Sequence, residues 1–117
     1  MSTFTKRALS GSTNGKGIKV AATATAGTTI HTAVAGTSDF DEIWLWCVNS
    51  SDTNVKLTLE YGEATAPDGN IEYIVGAEDG LKIILPGTIL QNELVLKAFA
   101  GTADVLVIHG FVNRIAA

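Results

Sequence analysis

The chain has 117 residues, of which 46% are hydrophobic and 17% are charged, with a net charge of −4. This length and apolar content suit one domain with its own core, and they exclude a generally disordered chain. No apolar run approaches the ~20 residues of a membrane-spanning helix, and no signal-peptide stretch follows the N-terminus, so we expect a protein without a membrane partner, made and kept or assembled in a cytoplasm.

Charge is divided unevenly along the chain. The charged side chains before Asp39 are four cations, whereas from Asp39 onward 12 acids outnumber four cations, which gives +4 for the first part and −8 for the second. The four early cations are Lys6, Arg7, Lys16 and Lys19. They are widely spaced and lack interleaved aromatic residues, so the pattern does not favour nucleic-acid binding and instead indicates a solvated or partner-docked extension.

The N-terminal segment predicts an arm. Residues 1–17 are rich in Ser, Gly, Thr and Asn, a flexible composition with too few apolar side chains to fold alone. We therefore divide the chain into a flexible basic arm at residues 1–17 and a folded domain at residues 18–117. Residues 18–22 and the β-branched residues 28–34 predict the first two strands of that domain.

The centre of the predicted fold is a pair of strands at residues 43–48 and 55–61. The first is apolar on both alternating faces, and such a strand is usually covered on both sides. Its two faces are Ile43, Leu45 and Cys47 on one side, and Trp44, Trp46 and Val48 on the other. The second strand alternates apolar and polar residues, as a half-solvated antiparallel strand does. The polar residues 49–54 favour a turn, so we predict a hairpin.

Short strands are predicted over the rest of the chain. Pro67, Asp68 and Gly69 indicate a turn in the loop after the hairpin. The remaining strands are expected at residues 71–75, 81–85, 88–90, 93–99 and 104–115, with Pro86 and Gly87 ending the second of these. The last strand is apolar on both faces. No sustained helical period occurs, so we predict an all-β fold: a single antiparallel β-sandwich, jelly-roll-like, of about eight strands.

Catalytic and metal-binding patterns are weak. Cys47 lies in an apolar strand and is expected to be a buried small hydrophobe. His31 and His109 have no second ligand at metal spacing, and we expect both to be ordinary strand residues. Two acidic groups lack the alternating ligands and central Gly of a calcium loop; they are Asp39, Asp41 and Glu42, and Glu78 with Asp79. We therefore predict no catalytic residues, no metal, no cofactor and no enzymatic activity.

The doubly apolar strands predict self-association. Since one face of residues 43–48 can supply the core, the other face is available for a seam between copies. Our candidate interface residues are Trp44, Trp46, Val48, Leu106, Ile108 and Val112. A competing interpretation is a carbohydrate-binding module in which Trp44 or Trp46 is a stacking platform. An exposed Trp in the oligomer would favour that module, whereas two buried ones would favour a scaffold.

A wider pattern resembles a known class of proteins. A threonine-rich strand, an Ala-Gly-Thr turn, an apolar strand ending in Asn-Ser and an alternating strand follow one another, and the closing strands continue the pattern. The segments that carry it are residues 28–37, 41–50, 55–62, 84–90, 94–101 and 105–115. This order resembles small β-sandwich structural proteins of tailed bacteriophages. His31 and Val34 depart from it, since Tyr and Pro are common there.

The resemblance implies a role in a virion, assembled in the bacterial host cytoplasm. It implies a capsid decoration (cement) protein that binds the major capsid protein of a phage head, with a tail or fibre role as the alternative, and it implies a homotrimer. We expect the arm to be mobile in the free protein and ordered on the shell. The predicted capsid-contact residues are Phe4, Lys6, Arg7, Leu9 and Lys16.

Overall fold

The computed structural model describes residues 2–116 and forms nine strands in that range, numbered here in chain order. They are β1 (Thr3–Ala8), β2 (Ile18–Lys19), β3 (Thr28–Thr32), β4 (Phe40–Asn49), β5 (Val55–Tyr61), β6 (Asn70–Val75), β7 (Lys82–Leu90), β8 (Val95–Ala100) and β9 (Leu106–Ala116). Within residues 2–116 there is no helix that could serve as a membrane span.

The strands form two packed antiparallel sheets, which confirms the predicted β-sandwich. Sheet A has the order β1-β9-β4-β7, with the short β2 also paired to β9. Sheet B has the order β3-β8-β5-β6. The two doubly apolar strands are neighbours at the centre of sheet A, where β4 pairs with β9 from Phe40↔Ile115 to Asn49↔Leu106.

The core lies between the inner faces of the two sheets. On β4, Ile43, Leu45 and Cys47 have no exposed surface, whereas the alternate residues are only partly buried. Leu57 and Leu59 face them from β5, and both are buried. The two-residue period of a strand thus gives each sheet one apolar face for the core.

The expected hairpin of β4 and β5 does not form, because these strands belong to different sheets. The turn between them crosses from sheet A to sheet B. Asn49 holds this crossing: its side-chain amide donates to the carbonyl oxygens of Thr53 at 2.8 Å and Val75 at 3.0 Å, and its Oδ1 accepts from the Ser51 amide. The apolar faces of both strands therefore meet across the core, where a hairpin would have placed them side by side.

Strand β7 continues through Pro86 and Gly87, where the sequence predicted its end. It is an edge strand, so the missing amide hydrogen of Pro86 removes no bond from the sheet interior. The register against β4 shifts twice, between Ile43 and Trp44 and between Leu45 and Trp46. These irregularities let one strand replace the two that were predicted.

The outer side of β5 is also more buried than its alternation predicted. Thr58 and Glu60 point away from the core, yet they are 3% and 2% exposed. The Gly27 amide donates to Glu60 Oε1 at 2.7 Å, so the segment before β3 lies against this face. A segment distant in sequence therefore covers the polar face that was expected to be solvated.

The N-terminal segment lies on the sandwich. Strand β1 pairs with β9 from Thr3↔Ala116 to Ala8↔Phe111, and all six of its residues are exposed. Leu9 is only 2% exposed, and the Gly11 amide donates to the Ile30 carbonyl oxygen at 2.9 Å. Residues 3–11 thus have a defined place where a free arm was expected. Release of β1 in the free protein stays a prediction.

Candidate interaction surface

An aromatic cluster lies on the outer face of sheet A. Trp44 and Trp46 project outward from β4, and Phe111 lies directly opposite Trp44 on β9. The ring centroids are 6.4 Å apart for Trp44 and Trp46, 6.4 Å for Trp44 and Phe111, and 6.0 Å for Trp46 and Phe111. The interplanar angles are 20°, 14° and 27°. We call these three residues, which are all partly exposed, the aromatic triangle.

Polar side chains fix the edge of the aromatic triangle. Glu42 Oε1 accepts a hydrogen bond from the Trp44 indole at 2.8 Å and another from the Asn113 amide at 3.1 Å. These bonds, the indole bond foremost, lower the pKa of Glu42 below its usual value. On the other side, Lys6 Nζ lies 4.3 Å from the centre of the Phe111 ring, a cation–π contact.

Two glycines permit close packing around this cluster. Gly87 has φ +89°, and a Cβ there would lie 2.9 Å from the Trp44 ring. A Cβ on Gly17 would lie 2.4 Å from Val107 and 2.7 Å from His109, so the chain before β2 covers that part of the face. The backbone thus covers one side of the face, and the aromatic triangle stays partly exposed.

The apolar surface extends beyond the triangle onto both edges of sheet A. Ile83 pairs with Trp46 and is 45% exposed, and Ile89 pairs with Glu42 and is 57% exposed. On the opposite edge Phe4 pairs with Ile115 and is 69% exposed. Each of the strands β7, β4, β9 and β1 therefore contributes apolar surface to the outer face of sheet A, beside polar side chains such as Glu42, Asn113 and Lys6.

The predicted seam residues separate into two groups. Trp44, Trp46 and Val48 lie on this outer face, partly exposed. Leu106, Ile108 and Val112 are fully buried in the core of the single chain, and this corrects their assignment to a seam. The outward positions of β9 are the odd-numbered ones, which include Phe111. The sequence could not decide which parity pointed inward, because both faces of the strand are apolar.

The predicted capsid-contact residues also differ from one another. Phe4, Lys6, Arg7 and Lys16 are exposed. Leu9 belongs to the core and is 2% exposed, so it cannot contact a shell while the sandwich is intact.

A buried polar cluster at one end of the sandwich was not found from the sequence. His31 Nε2 lies 2.7 Å from Asp41 Oδ2, and Arg114 donates to the Asp41 carboxylate through Nε at 2.8 Å and through a terminal nitrogen at 3.0 Å. The Val34 amide also donates to Asp41. Asp41 has no exposed surface and His31 has 2%. Burial raises the pKa of Asp41, but the hydrogen bonds from Arg114 and His31, together with the positive charge of Arg114, outweigh it and lower this pKa overall.

The geometry gives His31 a structural role. The Ser10 amide donates to His31 Nδ1 at 3.0 Å, so Nδ1 is the acceptor and Nε2 carries the hydrogen that Asp41 accepts. Both ring nitrogens are therefore engaged, and the cluster joins the segment after β1 to β3, β4 and β9. Asp41 lies only ten positions from His31, but Arg114 lies 73 positions from Asp41, and no spacing motif connects the three.

Other predicted chemical positions have definite places. Cys47 is buried in the core, and burial raises the pKa of its thiol to about 12. His109 lies on the outer face of sheet A opposite Trp46. Within residues 2–116, no three His, Cys, Asp or Glu side chains come together as a group that could hold a metal ion.

Comparison with protein-family models, with curated proteins and with solved structures gives no match for this chain.

Proposed function

We propose that this protein is a structural protein that assembles through the outer face of sheet A. The observation that carries the proposal is the aromatic triangle, which stays partly exposed although the chain fills its core without it. Contiguous apolar surface of this kind marks interaction sites on soluble proteins, and aromatic residues are enriched at the centre of interfaces.

The size of the face supports a second copy of the chain as the occupant. Four strands at a spacing of ~4.8 Å span about 19 Å, and the ten residues of β4 at ~3.3 Å each span about 33 Å. The resulting footprint of roughly 630 Å² approaches the roughly 800 Å² that each partner buries in a stable interface.

The larger partner we propose is the shell of a tailed-phage head, with the protein acting as a trimeric decoration protein on the major capsid protein. This part rests on the sequence resemblance. The exposed strand β1 supports it, because Phe4, Lys6 and Arg7 offer an apolar and a basic contact beside the oligomer face. Many copies on a shell would add their weak contacts through multivalency and stabilise the assembled form.

Sedimentation analysis of the wild type, Trp46→Ser and Ile74→Ser tests the assembly step. Ile74 is the matched control, since it is 60% exposed on β6 in the other sheet. We expect a wild-type oligomer at micromolar concentration, a monomeric Trp46→Ser and an unchanged Ile74→Ser. A monomeric wild type would contradict the proposal. Co-sedimentation with expanded, empty phage heads then tests binding to the shell. If the wild type binds none of these heads, the virion role is contradicted.

A second candidate is carbohydrate binding on the same face. The observation that favours it is the small angle between the three rings, because sugars stack on flat aromatic surfaces, and the polar side chains of Glu42 and Asn113 lie beside these rings. Quenching of Trp fluorescence by an oligosaccharide in a monomeric sample would favour this candidate over self-association.

A further inference from the structure

A second possible site lies on the opposite side of the molecule, on the outer face of sheet B. It is a cleft of about 230 Å³ between the loop after β5 and the start of β8. Its lining contains three carboxylates, one ammonium group and several apolar groups: Glu60, Glu63, Glu93, Lys97, Gly62, Ala64, Leu94 and Val95. The charges of the lining sum to −2.

Glu60 is the unusual member of this lining. It is 98% buried, since its exposure is 2%. Its Oε1 accepts the Gly27 amide hydrogen at 2.7 Å, whereas Oε2 has no hydrogen-bond partner among the described residues. A buried carboxylate oxygen without a donor or a counter-charge is costly. The second carboxylate oxygen of Glu60, Oε2, is therefore suited to a positively charged hydrogen-bond donor.

The lysine in the lining of the cleft does not form an ion pair with Glu60. Lys97 is directly opposite Glu60 on β8 and lines the same cleft. The ion pairs of the described residues do not include one between these two side chains. Lys56, on the same strand as Glu60, does pair with Glu72 of the neighbouring strand, at 2.8 Å. The cleft thus keeps an acidic character that its own lysine does not neutralise.

We propose that this cleft binds a small alkylammonium ligand, such as a primary amine or a diamine. The ammonium group would be held by Glu60 Oε2 with Glu63 or Glu93, and the alkyl stem would lie against Leu94 and Val95. A combination of carboxylates and apolar walls fits an organic cation, and residues 2–116 contain no three-residue group suited to a metal ion. The proposal is independent of the outer face of sheet A.

Titration of the full chain with n-butylamine, followed by nuclear magnetic resonance of the backbone amides, tests the site. We expect saturable shifts confined to residues around the cleft, weaker binding at high salt, and no such shifts with n-butanol, the uncharged analogue. Glu60→Gln should weaken binding at least about tenfold, because one charge-assisted contact is lost while the bond from Gly27 can remain. Glu72→Gln, outside the cleft, is the control and should change nothing.

Two further variants keep the test decisive if Glu60→Gln fails to fold. Glu93→Gln changes an exposed residue of the wall and should weaken binding. Lys97→Met removes the competing ammonium group and should strengthen it. Absence of saturable butylamine binding to the wild type overturns the proposal, and so does a Glu60→Gln or Glu93→Gln protein that binds as tightly as the wild type. Magnesium shifting the same amides when butylamine does not would overturn it as well.

Discussion

The outward side chains of β4 in sheet A and of β5 in sheet B differ in how far the rest of the chain buries them. In sheet B the chain covers most of the polar side of β5 with its own segment, so Thr58 and Glu60 are only 3% and 2% exposed, and Glu60 lines the cleft beside that segment. In sheet A the aromatic side of β4 stays partly exposed. A chain that only minimised exposed apolar surface would cover the large side chains of Trp44 and Trp46 as well. The open face of sheet A is thus the better candidate for a partner, whereas the cover over sheet B belongs to the fold itself.

The buried cluster around Asp41 joins the two sheets, and we expect its disruption to cause the largest loss in the free energy of unfolding. Asp41→Asn removes the negative charge that pairs with Arg114 and replaces one of the two acceptor oxygens of Asp41 with a donor, and loss of one member of a buried ion pair costs about 3–5 kcal/mol. We expect the free energy of unfolding in urea to fall by that amount. Asp52→Asn, an exposed turn residue between β4 and β5, is the control and should stay near the wild type.

The same cluster predicts how stability depends on pH. The pKa of Asp41 in the folded chain is below its ordinary value of 3.8, so this carboxylate contributes stability above that pH. That contribution is lost as the pH falls toward the lowered folded pKa, with a slope of at most ~1.4 kcal/mol per pH unit from this group. Urea denaturation between neutral and acid pH should show a smaller loss for Asp41→Asn than for the wild type. Equal slopes would contradict the assignment.

Displacing the segment at Gly27 from the outer face of sheet B should cause an intermediate loss of stability. A Cβ on Gly27 would lie 2.6 Å from the Ala98 backbone, so Gly27→Ala must displace the segment that donates to Glu60. We expect a loss of about 1–3 kcal/mol and faster amide exchange around Thr58. Gly101→Ala is the control, because a Cβ there meets nothing nearer than 3.9 Å. Similar stability in the two variants would contradict tight packing of the segment at Gly27 against sheet B.

The smallest loss of stability is expected from a substitution on the outer face of sheet A. Trp44→Phe removes the indole bond to Glu42, so the pKa of Glu42 should rise toward its ordinary value of 4.5. Loss of this bond should cost about 1 kcal/mol of stability. Trp46→Phe keeps the bond and serves as the control in a magnetic resonance titration of the Glu42 carboxyl group. An unchanged Glu42 pKa in Trp44→Phe would show that Asn113 alone lowers it.

The sequence predicted much of the local structure correctly. The strand at residues 43–48, the strand at residues 55–61, the turn at Pro67 and the two central strands of sheet A all follow from side-chain periodicity and turn chemistry, which act over a few residues. The outward direction of Trp44 and Trp46 also follows once one face of β4 is given to the core.

Only the tertiary structure decided which strands pair, which faces are covered and which polar groups meet. The crossing after Asn49, the cover of Gly27 on Glu60 and the cluster of His31, Asp41 and Arg114 all depend on contacts between sheets or between distant segments. An alternating pattern indicates that the two faces of a strand differ in polarity, but it does not predict which segments of the chain pack against each face. That is decided by burial and by hydrogen bonds in the assembled sandwich, where Asp41 and Arg114 meet across 73 positions of sequence.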